Sequence, residues 1–223
     1  MDIPKLIATY DNFSIWQLSE NVLSDLAMFV VKENYKNHQN YDCTELTITQ
    51  KEELEDVLKE ECSYYENSKI FVAKNNKNKI IGAIRLMQWN KTDELPITKL
   101  FGINPLSKGE HKTSSNIWHI GRFAVESGGT NSTRMNLFRV LMMYAVAPIC
   151  KYQDGLMYAE CDSKLLRAIN GLGLEARTLD EGIEYLGSKT IPICIERNGM
   201  LEFMSRHCSL ALNINSSFTY CRG

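Results

Sequence analysis

The stretch Ile117-Trp118-His119-Ile120-Gly121-Arg122-Phe123-Ala124-Val125 constrains this chain more than any other. Its isoleucines, tryptophan, phenylalanine and valine predict a half-buried strand, yet the run also carries a guanidinium and an imidazole. Either group left unpaired inside such a strand is costly, so Arg122 and His119 need partners or a task. Gly121 weakens the strand at its middle. A glycine there predicts a bulge, or the close approach of a ligand or another backbone.

The remaining chain is an ordinary setting for this strand. Its 223 residues suffice for one sizeable core, and a single domain over residues 1–223 is the expectation. A composition of 44% hydrophobic and 23% charged residues predicts a globular protein. The net charge of -2 argues against a general nucleic-acid binder, so the expected partners are small or locally charged. No run approaches the roughly 18 to 20 apolar residues of a bilayer span, and the amino terminus lacks the basic-then-apolar pattern of a signal peptide. A cytoplasmic protein with no integral membrane segment is therefore expected. The seven cysteines (43, 62, 150, 161, 194, 208 and 221) are odd in number, scattered and without C-x-x-C spacing. They predict reduced, mostly packed thiols and no metal site.

Hydrophobic periodicity organises the chain. Val22, Leu26, Phe29 and Val30 predict an amphipathic helix over Ser19 to Tyr35 with Ser19 as its cap. A second helix is expected to open at Thr49, whose spacing to Glu52 makes a capping box, with Leu54, Leu58, Cys62 and Tyr65 on one face and a solvated acidic side. Strands are predicted over Ile70 to Ala73 and Lys79 to Trp89, joined into a hairpin by Asn75-Asn76-Lys77-Asn78. The stretch from Asn90 to Asn116, with Pro96 and Pro105, is too long for a plain connection and reads as a functional or disordered loop, part of it packing through Leu100, Phe101 and Ile103. After the Ile117 strand come the polar turn from Ser127 to Thr133 and a helix from about Met135 to Lys151, bearing Leu137, Leu141, Tyr144 and Ala145 on one side. Strand, glycine turn, helix is the order of a ligand-cradling unit. Leu156 to Cys161 predicts a buried strand, Asp162 or Ser163 a helix cap, and Glu184 to Leu186 and Lys189 to Glu196 two further strands. From Arg197 a short amphipathic segment and a polar tail form a C-terminal extension, 197–223.

The Ile117 strand closely resembles the I-W-E-I-S-R-F-A-V strand of acyl-homoserine lactone synthases, the autoinducer-synthesis branch of the GNAT acyltransferase superfamily, with His119 in place of Glu and Gly121 in place of Ser. The likeness, shared with N-acyl amino acid synthases, covers roughly Ile70 to Glu196. Gly82-Ala83-Ile84-Arg85-Leu86 is similar to the family's G-x-x-R-L, Pro96 and Phe101 to the proline and phenylalanine of the following loop, and Tyr185-Leu186-Gly187 to its late L-G. The resemblance implies a single GNAT-like α/β (α+β) domain: a mixed, twisted sheet flanked by helices, with a splayed central pair of strands.

The departures narrow the expected activity. Gly128, Gly129, Thr130, Asn131, Ser132 and Thr133 occupy the place of the acetyltransferase pyrophosphate loop without matching Q/R-x-x-G-x-G/A. They form a candidate donor phosphate loop acting through backbone N–H groups. Ile169 falls near the tyrosine that many acetyltransferases use to protonate the departing thiolate, and the Arg, Phe and Trp pattern of lactone synthases is not recognisable around Phe29 to Asp42. Acylation of an amine other than S-adenosylmethionine is therefore favoured.

Acyl transfer from a thioester to an amine needs a base, an oxyanion donor and a cleft for the acyl chain. An α-amino group titrates at about 8, and a histidine is suited to deprotonate it near neutrality. His119, Arg122 and Glu160 are the candidate catalytic residues, with Glu160 either an alternative base or an arginine's partner. For Arg122 and Arg85 two roles stand side by side: holding a substrate carboxylate or anchoring acidic side chains, or a plain buried ion pair with Glu126 or Glu160. Arg85, Trp118, Phe123 and Gly121 are the candidate substrate-binding residues, a Gly121 backbone N–H serving as oxyanion donor. Leu137, Leu141, Met142 and Met157 are candidates for an acyl pocket or for plain core. The expectation is an N-acyltransferase moving an acyl group from acyl-CoA or the phosphopantetheine of an acyl carrier protein to a small amino-acid-like amine. The alternatives are an acetyl-CoA-dependent N-acetyltransferase and a non-catalytic ligand-binding protein of the same fold.

Overall fold

A computed structural model describes residues 3–39, 46–106, 116–185, 188–210 and 212. The expected Leu186-Gly187 motif, Cys43, Cys221, the end of the long loop and most of the C-terminal tail lie outside the described residues. Among the described residues the chain is a mixed α/β fold with nine strands flanked by helices. It divides into two compact units, Met1–Arg85 with Arg122–Met142, and Leu86–Gly121 with Met143–Gly223.

In the first unit, β1 (Lys5–Thr9), β2 (Phe13–Gln17), β3 (Ser68–Asn75), the start of β4 (Ile80–Gln88) and the end of β5 (Ile117–Val125) follow one another in the sheet. β1 and β2 pair antiparallel, as do β2 and β3, in a register running from Phe13↔Asn75 to Gln17↔Phe71. The expected hairpin turn is present. The Asn75 side-chain oxygen accepts the N–H groups of Lys77 and Lys79, both at 3.0 Å, and Asn78 takes a left-handed φ of 59°, a conformation asparagine tolerates. α1 (Leu23–Gln39) lays Leu23, Leu26 and Val30 on Ile70, Val72 and Ala83, and its Ala27 and Val31 on Val57 of α2 (Ile48–Tyr64). The capping box of α2 is not the expected Thr49 and Glu52. Thr47 accepts from the Gln50 N–H and Gln50 bonds back to the Thr47 N–H. Thr49 already lies inside the helix, because Gln stands at the third helical position after Thr47 as readily as Glu does after Thr49.

In the second unit the order is β4, β5, β6 (Leu156–Asp162), β9 (Ser188–Glu196) and β7 (Arg177–Thr178), with β8 (Ile183–Tyr185) also on β9. β5 and β6 are parallel from Ile117↔Leu156 to Ile120↔Ala159, and β6 is antiparallel to β9 along its whole length. α4 (Asn131–Cys150) makes the crossover that parallel strands require. It begins earlier than expected, so Asn131, Ser132 and Thr133 are its first turn and not loop. Buried residues run around α4 from Val140 to Ala147, as expected of a helix apolar on all sides. Pro96 opens α3 (Pro96–Phe101) inside the long connection, and Leu95, Ile97 and Ile103 are buried. Asp162 caps α5 (Ser163–Gly171) by accepting the Leu165 N–H at 2.7 Å. α6 (Arg197–His207) is the expected amphipathic segment.

Candidate active site

In the second unit β5 and β6 bring His119 and Glu160 together. Paired residues share a face of a sheet, so the register His119↔Tyr158 places Glu160, two residues on, on the same face as His119. His119 Nε2 stands 2.9 Å from Glu160 Oε2 and 3.1 Å from Oε1. A carboxylate only accepts, which assigns the ring proton of a neutral His119 to Nε2 and leaves Nδ1 as the lone-pair nitrogen. Nδ1 is buried without a partner, in a residue only 1% exposed. The parallel ladder ends at Ile120↔Ala159, one residue before Gly121 and Glu160.

The same face continues outward. Tyr158 pairs with Cys194 of β9, which pairs with Arg177 of β7. Burial pushes the Tyr158 hydroxyl up from its ordinary value and the Cys194 thiol up to about 12. Both groups are therefore held protonated. Cys161 and Cys150 are likewise raised to about 12 by burial. Ile169 is buried on α5.

In the first unit Arg85 and Arg122 converge on one carboxylate. Arg85 Nη1 lies 2.5 Å and Arg122 Nε 2.7 Å from Glu61 Oε1. Glu60 Oε1 adds Arg122 Nη2 at 2.8 Å and Arg85 Nη2 at 3.6 Å. Arg85 is 1% exposed and also lies 5.0 Å over the Tyr64 ring. The expected partners are engaged elsewhere, Glu126 with Lys79 at 2.6 Å and Glu160 with His119. Of the expected strand irregularity, the left-handed conformation falls on Arg122, at φ 52°. For a non-glycine residue this costs about 1–3 kcal/mol, which its surroundings must hold.

The expectation that the acidic side of α2 is merely solvated holds for Glu52, Glu55 and Asp56, which are exposed, and fails at Glu61, which is 0% exposed. Glu61 falls one helical turn after Val57 on the buried face, and that spacing together with two arginines in apolar strands was the available signal. Trp118 is buried with Tyr152 at 6.0 Å between ring centroids, and its Nε1 has no partner. Phe123 packs edge-on against Phe138 at 4.8 Å. Leu137, Leu141, Met142 and Met157 are all buried, the first three in the first unit and Met157 in the second. Leu137 and Leu141 lie so close over Gly82 that a Cβ there would stand 3.1 and 2.8 Å from them.

The turn before α4 holds a residue that sequence reasoning missed. Glu33 of α1 is 4% exposed, and its Oε2 accepts the Ser127 N–H at 2.8 Å. Gly128, Gly129 and Thr130 follow it exposed, Gly129 with φ 101°. Thr130 caps the helix, its hydroxyl accepting the Thr133 N–H at 3.2 Å and its carbonyl the Arg134 N–H at 3.1 Å. The signal for Glu33 was its place one turn after Phe29 and Val30. Among the described residues no three His, Cys, Asp or Glu side chains gather as a metal site, and no helix is long and apolar enough to cross a membrane.

No family model and no curated protein sequence matches this chain. Solved structures do match its fold. FeeM, an N-acyl amino acid synthase from uncultured soil microbes, aligns with a TM-score of 0.57 at 13% identity over 85% of this chain and 93% of its own. TofI, solved in a ternary complex with an inhibitor and MTA, aligns at 0.56 and 13% identity over 87% and 95%. FdhC, a nucleotide-linked sugar GNAT in its apo form, aligns at 0.52 and 11% identity over 92% and 98%. The fold is thus GNAT-like, in agreement with the sequence resemblance, and an N-acyl amino acid synthase is among its structural neighbours.

Proposed function

We propose that this chain is an N-acyltransferase that joins an acyl group from a thioester to the amine of a small amino-acid-like substrate. The observation that carries this reading is the His119–Glu160 pair: an imidazole oriented by a carboxylate through Nε2, with Nδ1 facing away as the free lone pair. Such a nitrogen accepts the proton of an attacking amine while Glu160 stabilises the imidazolium that forms. His119 thereby takes the place of the family's glutamate, and Glu160 is its orienting partner. The Gly121 backbone is the candidate oxyanion donor.

Arg122 and Arg85 act by anchoring the acidic side chains of Glu60 and Glu61 and not by holding a substrate carboxylate. Leu137, Leu141 and Met142 in the first unit, and Met157 in the second, are each candidates for apolar contact with the acyl chain, and Trp118 and Phe123 of β5 are candidate substrate contacts. Acyl-CoA or the phosphopantetheine arm of an acyl carrier protein is the donor. Attack is direct, because the buried thiols of Cys161 and Cys194 are held protonated and make poor nucleophiles.

A second reading, a ligand-binding protein of the same fold without catalysis, is favoured by one observation, the near-complete burial of His119. Mass spectrometry of extracts from cells overexpressing the protein separates the two. An N-acylated amine present with the natural chain and absent with His119→Gln supports the enzyme. No product with any thioester, together with activity created by His119→Glu, supports the second reading.

A further inference from the structure

We propose that Arg177 holds the carboxylate of the amine substrate, so that the acceptor is an amino acid and not a simple amine. This rests on the acyltransferase reading above and names the substrate class of that site. The chemistry asks for such a cation, because Arg85 and Arg122 are engaged with Glu60 and Glu61 and a substrate carboxylate needs its partner elsewhere.

Strand register supplies one within the second unit. His119 of β5 pairs with Tyr158 of β6, Tyr158 with Cys194 of β9, and Cys194 with Arg177 of β7. Directly paired residues share a face of a sheet, so these side chains form one row, with Glu160 at its inner end 2.9 Å from His119 Nε2. The row is buried at His119, Tyr158 and Cys194 and exposed at Arg177. The Arg177 guanidinium turns inward along it to hydrogen-bond the Cys194 thiol, and its charge acts on the Tyr158 hydroxyl. From Cys194 to the His119 strand is two strand spacings, about 10 Å. An amino acid's amine and carboxylate, with a hydrogen bond of about 2.9 Å at each end, fill such a gap.

The charges match as well. Glu160 places a carboxylate at the inner end and Arg177 a cation at the outer end, while burial keeps the Tyr158 hydroxyl and the Cys194 thiol between them protonated and neutral. An amino acid is the complementary ligand, its nitrogen drawn inward and its carboxylate outward. Glu196 lies on the same face two residues beyond Cys194, and its charge opposes that of Arg177 at the thiol. It does not close the site, since a guanidinium forks to two carboxylates, as Arg122 does to Glu60 and Glu61.

The test gives the full chain dodecanoyl-CoA or S-dodecanoyl-pantetheine with either the proteinogenic amino acids or their carboxamides, which keep the amine and lose the carboxylate. Mass spectrometry identifies the acceptors, and kcat/KM is then measured for the best amino acid and its amide. The natural chain should favour the amino acid by about 10- to 100-fold. Arg177→Gln should bring that ratio close to one, chiefly through KM, and Arg177→Lys should restore part of it. An unchanged ratio in Arg177→Gln, or a natural chain that acylates amides as readily, overturns the proposal and leaves the acyltransferase reading standing. Phenylglyoxal, which modifies guanidinium groups, gives a readout without turnover: peptide mapping should find Arg177 of the natural chain protected by the amino acid mixture and not by the amides. If no donor and acceptor turn over, the acyltransferase reading fails and this mapping decides alone, protection by amino acids only upholding the carboxylate site and equal modification rejecting it. If Arg177→Gln does not fold, the natural chain's ratio and the same mapping decide.

Discussion

Both carboxylate oxygens of Glu160 lie within hydrogen-bond distance of His119 Nε2, at 2.9 and 3.1 Å. With the ring fixed through that nitrogen, any proton taken from a substrate goes to Nδ1. Replacing His119 with Gln should lower kcat/KM by about 10² to 10⁴ and flatten the acidic limb of its pH profile. Glu160→Gln keeps an oxygen to accept the Nε2–H of His119 but loses the negative charge that stabilises the imidazolium, so it should lower the rate, though less than His119→Gln does. His119→Glu should recover part of the activity. A pH profile of His119→Gln that overlays the natural one would return this histidine to packing.

Glu61 stands between two guanidiniums and is fully buried, so removing it takes from both their buried carboxylate and leaves them the partly exposed Glu60. Glu61→Ala should destabilise the protein by about 3–5 kcal/mol in urea unfolding. Glu60 is partly exposed, and Glu60→Ala should cost only about 1 kcal/mol or less. Equal losses would mean that the pairing geometry does not govern stability here.

The two threonines near the start of α2 separate the observed cap from the expected one. Thr47→Ala removes the hydroxyl bonded to the Gln50 N–H and should cost about 1 kcal/mol. Thr49→Ala, within the helix, should stay within about 0.5 kcal/mol of the natural protein. A reversal of this order in chemical denaturation would move the helix start.

Burial raises the thiols of Cys150, Cys161 and Cys194 from 9.0 to about 12. The native state therefore holds their protons more tightly than the unfolded chain does. The stability this contributes is complete below pH 9 and is lost as pH rises toward about 12. Unfolding free energies from urea titration should accordingly fall between pH 8 and pH 11, by up to about 1.4 kcal/mol per thiol for each pH unit above 9. Peptide mapping after brief alkylation of the native protein should find Cys62 labelled and these three protected. Rapid labelling of Cys161 in the folded state would contradict its burial.

The strand around His119, the hairpin turn, the α5 cap and the GNAT-like fold were legible because each rests on a local pattern: β-branched runs, an Asn-rich turn, an Asp before a helix. β1 and β2 escaped notice because each is only five residues long and β1 is largely exposed, so neither shows a long alternation. Glu61 and Glu33 were hidden for another reason. Both are acidic residues on helices rich in exposed charge, and only the long-range partner, Arg122 for one and the Ser127 N–H for the other, distinguishes them from their solvated neighbours. Glu160 was read as an alternative base or an arginine's partner and not as the partner of His119, because strand register, which sets Tyr158 beside His119 and so brings Glu160 within reach, is a property of pairing between distant segments.

Gly82 leaves room for Leu141, whose Cδ1 would stand 2.8 Å from a Cβ at position 82. The two positions therefore draw on one shared volume, and their histories are tied. Alanine at 82 would push the ends of the Leu141 and Leu137 side chains aside, and a smaller side chain at 141 would make room for it. The glycine of this motif is thus a record of helix packing, and its persistence or loss in descendants of this chain would trace how α4 is seated on β4, independently of any ligand.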